Sequence, residues 1–309
     1  VRTSDVFLTP LAPGVRYGEH TIESAGVPIV LSLWDAPTDG PVLVFLPGTM
    51  THPLFYARFC AALAEQGITV IGVHFEGHGK SPRVRRLLHW SSLEANALDA
   101  VSYVTETYHR PVVLAGSSQG GVLAITTAPQ TDRLAGVIAH NVLDPSLPHS
   151  LSVSRLPAWW QPLYSPLVRL LSTAGRLAPK LPVPFQAYLD LNRVCREPWS
   201  AEAFLTDPLG LRSYPLGFLA ELFSLDMTPM RDGSIRCPVL VVAATGDPLF
   251  SFEYTRLVFE RLVAPRKELL TFELDHHLIF TECVDAVVDP LVERINLFTG
   301  VVPAPSARR

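Results

Sequence analysis

Three observations predict an α/β protein: a mostly parallel, doubly wound sheet with a helical cap inserted between its sixth and seventh strands. Short apolar runs rich in Val, Ile and Leu alternate with segments whose apolar residues recur at helical spacing. That is the pattern of a parallel sheet covered on both faces. The alternation then stops between Pro145 and Arg236, where Pro, Leu and aromatic residues dominate. An insertion that long between core strands reads as a cap, not a loop. Finally, "LAGSSQGG" (Leu114–Gly121) passes from strand to helix through a serine flanked by glycines, a turn that presents a side chain at a strand end.

Each element has a local reason. Tyr17–Trp34 reads as two strands around a Ser-Ala-Gly turn. "PVLVFLPG" (Pro41–Gly48) lacks alternation, as a strand buried on both faces does. The helix after it carries Phe55, Phe59, Ala62 and Leu63 on one face, with Gly67 available at its end. "ITVIGVHF" (Ile68–Phe75) is the next buried strand. Ser91 and Glu94 have the spacing of a capping box, ahead of a helix with Leu93, Ala97, Val101, Val104 and Tyr108 inward. "PVVLAG" runs into the serine turn, and a helix starts near Gln119. Further buried strands are expected at Leu134–Leu143, Pro238–Ala244 and Lys267–Leu274, with helices near Phe252–Val263 and Cys283–Phe298. Residues 1–144 and 237–300 thus form the core, 145–236 the cap, and 301–309 a flexible tail.

Composition narrows the function. A net charge of -4 over 309 residues offers no electrostatic footprint for nucleic acid. Although 48% of residues are hydrophobic, no apolar run nears the ~20 residues a membrane span needs. "VRTSDVFLTP" at the start lacks the apolar region of a secretory leader, so a cytoplasmic location is expected. Cys60, Cys195, Cys237 and Cys283 stand singly, without metal or redox spacing. No phosphate loop or zinc motif occurs, so neither cofactor nor metal is expected.

The serine turn can carry chemistry. A nucleophile elbow needs very small residues two positions either side of the reactive one. Ser118 has Gly116 and Gly120 there, whereas Ser117 would have Ala115 and Gln119. A serine hydroxyl needs a base, and "ELDHHLIFTE" places His276 and His277 just past the last strand; spacing alone does not separate them. Asp247 in "VVAATGDPLFS" is the expected acid, with Asp144 as rival, because the loop after the later strand lies nearer the histidines. For an oxyanion site, the Gln119 amide opens the helix after the serine. Gly48 in "LPGTMTHP" permits a sharp turn that frees the Thr49 amide, with Met50 as the fallback. His78 reads as a turn histidine bonded to backbone, and His52 as a surface-loop residue near the oxyanion turn, with a place in the pocket lining as the alternative. Trp159 and Trp160 are a packing pair that could also dip into a lipid interface.

These residues make the chain resemble the α/β-hydrolase superfamily, from about Tyr17 to Phe298. Pro47-Gly48 takes the place of the family's His-Gly oxyanion turn, Gly77–Ser81 matches its Gly-His-Gly-x-Ser turn, "GSSQGG" its elbow and "GDPLFS" its acid loop. The family's last motif has a Glu five residues after its histidine. The resemblance therefore implies His277, with Glu282, as the base. The stretch "REPWSAEAFLTDPLGLRSYPLGFLAELF" looks like the monoacylglycerol lipase and lysophospholipase (serine aminopeptidase-like) branch, although His74 and Glu76 replace that branch's Asp-x-Arg. That likeness implies a serine ester hydrolase acting on a small-molecule substrate with an apolar acyl chain. A thioesterase, lactonase or acyltransferase would use the same triad. A proline-releasing peptidase would need clustered acidic cap residues, and a non-catalytic binding protein of this fold would need none of the triad.

Overall fold

Ala25 (φ 49°) and Gly26 (φ 76°) both take left-handed backbone and reverse the chain between β1 (Arg16–Ser24) and β2 (Val27–Asp35). Two consecutive positive-φ residues match the twist of a tight hairpin. In this computed structural model, which describes residues 10–83 and 86–301, the hairpin edges an eight-stranded sheet. Of the opening segment read for a leader, residues 1–9 lie outside the described residues, as does the expected tail beyond Val301.

The order across the sheet is β1-β2-β4-β3-β5-β6-β9-β10. The new strands are β3 (Val42–Leu46), β4 (Thr69–Val73), β5 (Val112–Ser117), β6 (Gly136–His140), β9 (Val239–Ala244) and β10 (Lys267–Phe272). From β4 to β10 every neighbouring pair is parallel; only β1–β2 and β2–β4 are antiparallel. The central strands β3, β4, β5, β6 and β9 are buried throughout, which is why their sequences do not alternate. Helices α1 (Ala57–Glu65) and α8 (Val284–Thr299) pack together, as do α2 (Trp90–Tyr108) and α3 (Gln119–Thr127). This is the α/β-hydrolase fold.

Between β6 and β9 the chain leaves the sheet for helices α4 (Tyr164–Leu177), α5 (Pro198–Thr206) and α6 (Leu216–Leu222). A two-stranded ribbon, β7 (Pro182–Pro184) with β8 (Ser213–Pro215), lies among them. α7 (Phe252–Arg261) then joins β9 to β10. No helix among the described residues is long and apolar enough to cross a membrane.

Two local expectations are corrected. Ser91 and Glu94 form no capping box: α2 begins at Trp90, and its first amide donates to Glu221 Oε2 (2.8 Å) from α6. Glu94 instead accepts from the Trp90 indole at 3.1 Å. A tertiary carboxylate has displaced the local cap. The strand at Lys267–Leu274 is also not buried; β10 is the sheet edge and is largely half-exposed, since one side of its ladder has no neighbour.

Candidate functional site

β5 ends at Ser117, and Ser118 follows with φ 54° and ψ -117°, a conformation costly for any residue with a Cβ. The strain is held by packing too tight for side chains. A Cβ on Gly116 would lie 2.0 Å from the Gly120 carbonyl oxygen, and one on Gly120 would lie 2.0 Å from that of Leu46. Both small residues two positions from Ser118 are therefore sterically required, and this turn sends the Ser118 hydroxyl past the end of the sheet.

His277 meets that hydroxyl. Its Nε2 lies 3.1 Å from Ser118 Oγ, and its Nδ1 lies 2.9 Å from Asp247 Oδ2. The ring is buried and stacks on Phe250 at 5.6 Å. Asp247 Oδ1 accepts the Leu249 and Phe250 amides at 2.7 and 2.9 Å, while Asn141 Nδ2 donates to Oδ2 at 3.1 Å. Burial opposes the Asp247 charge, but the His277 ring, the Phe250 amide and His140 outweigh it, and the pKa lies below the ordinary carboxylate value. With the carboxylate as acceptor, the His277 proton belongs on Nδ1, which leaves Nε2 to accept from Ser118.

The rival residues face elsewhere. His276 points to Asp275 (3.0 Å) and Glu197 (3.7 Å). Asp144 is buried against Ser146, Arg231 and Arg261. Glu282, five residues after His277, accepts the Arg196 and Glu197 amides at 3.1 Å and the Ser200 hydroxyl, tying the entrance of α5 to the core.

Thr49 and Gln119 both line the space in front of Ser118. Their amides have no protein acceptor among the described residues, whereas the Met50 amide is committed to Tyr214 Oη at 2.9 Å. The turn is also made differently from the expectation. Met50, not Gly48, takes the left-handed conformation, with φ 61°. Gly48 is needed for closeness, because a Cβ there would lie 2.8 Å from Tyr56 Oη.

His78 is bonded to backbone as expected, its Nδ1 lying 2.9 Å from the Glu76 carbonyl oxygen. His52 is not a surface residue. It is fully buried, with Nε2 2.6 Å from Asp207 Oδ2 of the inserted segment. The sequence reading also passed over His140 and Asn141. His140 lies beneath His277, with ring centroids 5.7 Å apart, and Asn141 (φ 64°) bridges His140 and Asp247. Their position just past β6, beside the elbow, was the available signal. Glu76, at one of the positions where the branch's Asp-x-Arg is missing, is buried against Arg86.

The cavity before Ser118 has a volume of about 70 Å³ and is walled by Val122, Leu143, Val153, Phe204, Leu249 and Phe250. No Asp or Glu lies among its described lining residues. Farther out on the inserted segment, Trp159 is 71% exposed, near exposed Leu163 and Leu170 in sequence.

Known structures share this fold. A monoacylglycerol lipase from Paleococcus ferrophilus is 24% identical and superposes with a TM-score of 0.69, over 87% of this chain and 99% of that one. A soluble variant of monoglyceride lipase from Saccharomyces cerevisiae, in complex with a substrate analogue, is 15% identical with a TM-score of 0.72, over 94% and 98%. A thermostable carboxyl esterase from Bacillus coagulans, bound to glycerol, is 15% identical with a TM-score of 0.69, over 92% and 99%. No curated protein sequence matches the chain. The family model described as serine aminopeptidase, S33 (Hydrolase_4) matches residues 38–284. With that match spanning most of its length, the chain belongs to this family of α/β hydrolases.

Proposed function

We propose that the protein is a serine hydrolase of carboxylic esters with an apolar acyl group. Ser118 acts as nucleophile, His277 as base and Asp247 as the orienting acid. The observation that carries the reading is the unbroken Ser118–His277–Asp247 hydrogen-bond chain opening onto an apolar cavity. His277 Nε2 takes the Ser118 proton as Oγ attacks the ester carbonyl. The Thr49 and Gln119 amides, the latter at the positive end of α3, stabilise the oxyanion. His277 then protonates the departing alcohol, and water, activated by the same ring, releases the acid. Asp247 holds the Nδ1–H tautomer and balances the imidazolium charge.

The wall of the cavity favours an ester over a free amino terminus. A peptidase acting on an amine would need a carboxylate within reach of it, and the lining offers aliphatic and aromatic side chains. The monoacylglycerol lipase neighbours agree with that reading. A profile over p-nitrophenyl esters of increasing chain length, with a monoacylglycerol alongside, is expected to favour medium or long chains. Preference for acetate, or turnover confined to peptides, would overturn it.

The inserted segment serves as a cap that shields the acyl chain from water, and its exposed Trp159 face makes a transient contact with lipid. Wild type is expected to sediment with phosphatidylcholine vesicles more than Trp159→Ala does. Equal sedimentation of the two would remove the contact.

A further inference from the structure

Tyr214 belongs to β8 of the inserted segment, yet only 1% of it is exposed, because its side chain reaches the core. Its Oη lies 2.9 Å from the Met50 amide, 2.9 Å from His78 Nε2 and 3.3 Å from Gln119 Nε2. Proton counting assigns each bond a direction. His78 Nδ1 faces the Glu76 carbonyl oxygen at 2.9 Å, which can only accept, so the ring proton sits there. Burial lowers the His78 pKa to about 4, so at neutral pH the ring has one proton and Nε2 is a bare acceptor. Tyr214 must then donate to His78, while its oxygen accepts from the Met50 amide and the Gln119 carboxamide. The phenol's hydrogen-bonding capacity is used in full.

These bonds converge on the oxyanion turn. Leu211, on the approach to β8, donates its amide to the Met50 carbonyl at 2.9 Å. The inserted segment therefore grips both polar backbone groups of the residue that carries the turn's positive φ. Gln119 passes the restraint onward, because its Oε1 accepts from Thr49 Oγ1 at 3.2 Å. Both cavity-lining residues whose amides have no protein acceptor among the described residues are thus tied to one phenol.

We propose that Tyr214, oriented by His78, is a positioning residue that sets the Thr49 and Gln119 amides for the oxyanion. The inserted segment thereby completes the catalytic site as well as covering it. The inference rests on the ester-hydrolase reading above. Preorganised donors act on the transition state and little on the bound ester, so the loss should fall on kcat.

Tyr214→Phe is expected to lower kcat for a p-nitrophenyl ester about 10- to 100-fold, with KM within about twofold. It should weaken an alkylboronic acid, a tetrahedral mimic, by a similar factor while a long-chain alcohol competes as before. Unchanged kcat, or an equal loss of alcohol binding, would overturn the inference. Should phenylalanine disturb the fold, His78→Gln, which still offers the phenol an acceptor, is expected to retain far more kcat than His78→Leu. Equal kcat in those two variants would overturn it as well. Wild type and Ser118→Ala are run in the same assay. If they are indistinguishable, the ester reading and this inference fall together. An active wild type matched by Tyr214→Phe removes only the inference.

Discussion

Ser118→Ala is expected to lower kcat for a hydrolysable ester about 10,000-fold or more while leaving the melting temperature nearly unchanged. The oxygen removed is the one 3.1 Å from His277 Nε2, and no other hydroxyl among the described lining residues has that geometry. Ser117, its neighbour, is buried with its Oγ 3.1 Å from His140 Nδ1, on the wrong side of the strand end to substitute. Alanine keeps the Cβ that the elbow already tolerates at φ 54°, so the turn should persist. His277→Ala should cost about as much, and the double variant no more than either single one, because nucleophile and base act as a unit. Steady-state kinetics on the three variants, with thermal melts as control, would check this. Residual activity within about tenfold of wild type would mean that Ser118 is not the nucleophile.

The second large effect is acid lability. His74, His78 and His140 are buried, and burial lowers each pKa, to about 4 for His78 and about 3 for His140. The neighbours of His74 add to this: His52, Lys80 and His78 all disfavour its charged form. His277 does the same to His140, partly offset by Asp247. Each neutral ring is also wired as such. His74 Nδ1 accepts the Lys80 amide at 3.0 Å and its Nε2 lies 2.9 Å from Ser32 Oγ, while His140 Nε2 accepts from Asn141 Nδ2 at 3.1 Å. Above pH ~6.5 the rings are neutral in both folded and unfolded chains and contribute nothing to the pH dependence. As pH falls below that value the unfolded chain binds protons that the folded one refuses. Stability is then lost at roughly 1.4 kcal/mol per pH unit for each histidine, until the folded pKa is reached. Asp247 works in the same direction but lower. Its depressed pKa stabilises the fold above the ordinary carboxylate range, and that contribution disappears only below it. Urea denaturation at pH 7, 6 and 5 should therefore show a steep loss of unfolding free energy over the histidine window. A flat profile between pH 7 and 5 would refute the assignment of three neutral buried rings.

Steric and periodic requirements that act over a few residues were legible in the sequence. Central strands buried on both faces must be continuously apolar. A nucleophile elbow admits only glycine where Gly116 and Gly120 approach neighbouring carbonyls, and an insertion rich in Pro and Leu cannot continue an alternating sheet. The alternation of strands with helices and the glycine-flanked turn at Ser118 followed from those constraints. Pairings between residues far apart in the chain did not. Whether His277 or His276 turns toward Ser118, and whether Asp247 or Asp144 stands behind it, depends on where separate strand ends come together in space. The capping box at Ser91 and Glu94 had correct local chemistry, but Glu221 of α6 occupied the helix end first. The edge position of β10 and the burial of His52 against Asp207 have the same origin. Tyr214 carried no local mark at all, because its two lone pairs and one proton find their partners on three other segments. Local sequence determines what a segment can be; only the folded chain decides which polar groups, once removed from water, must satisfy one another.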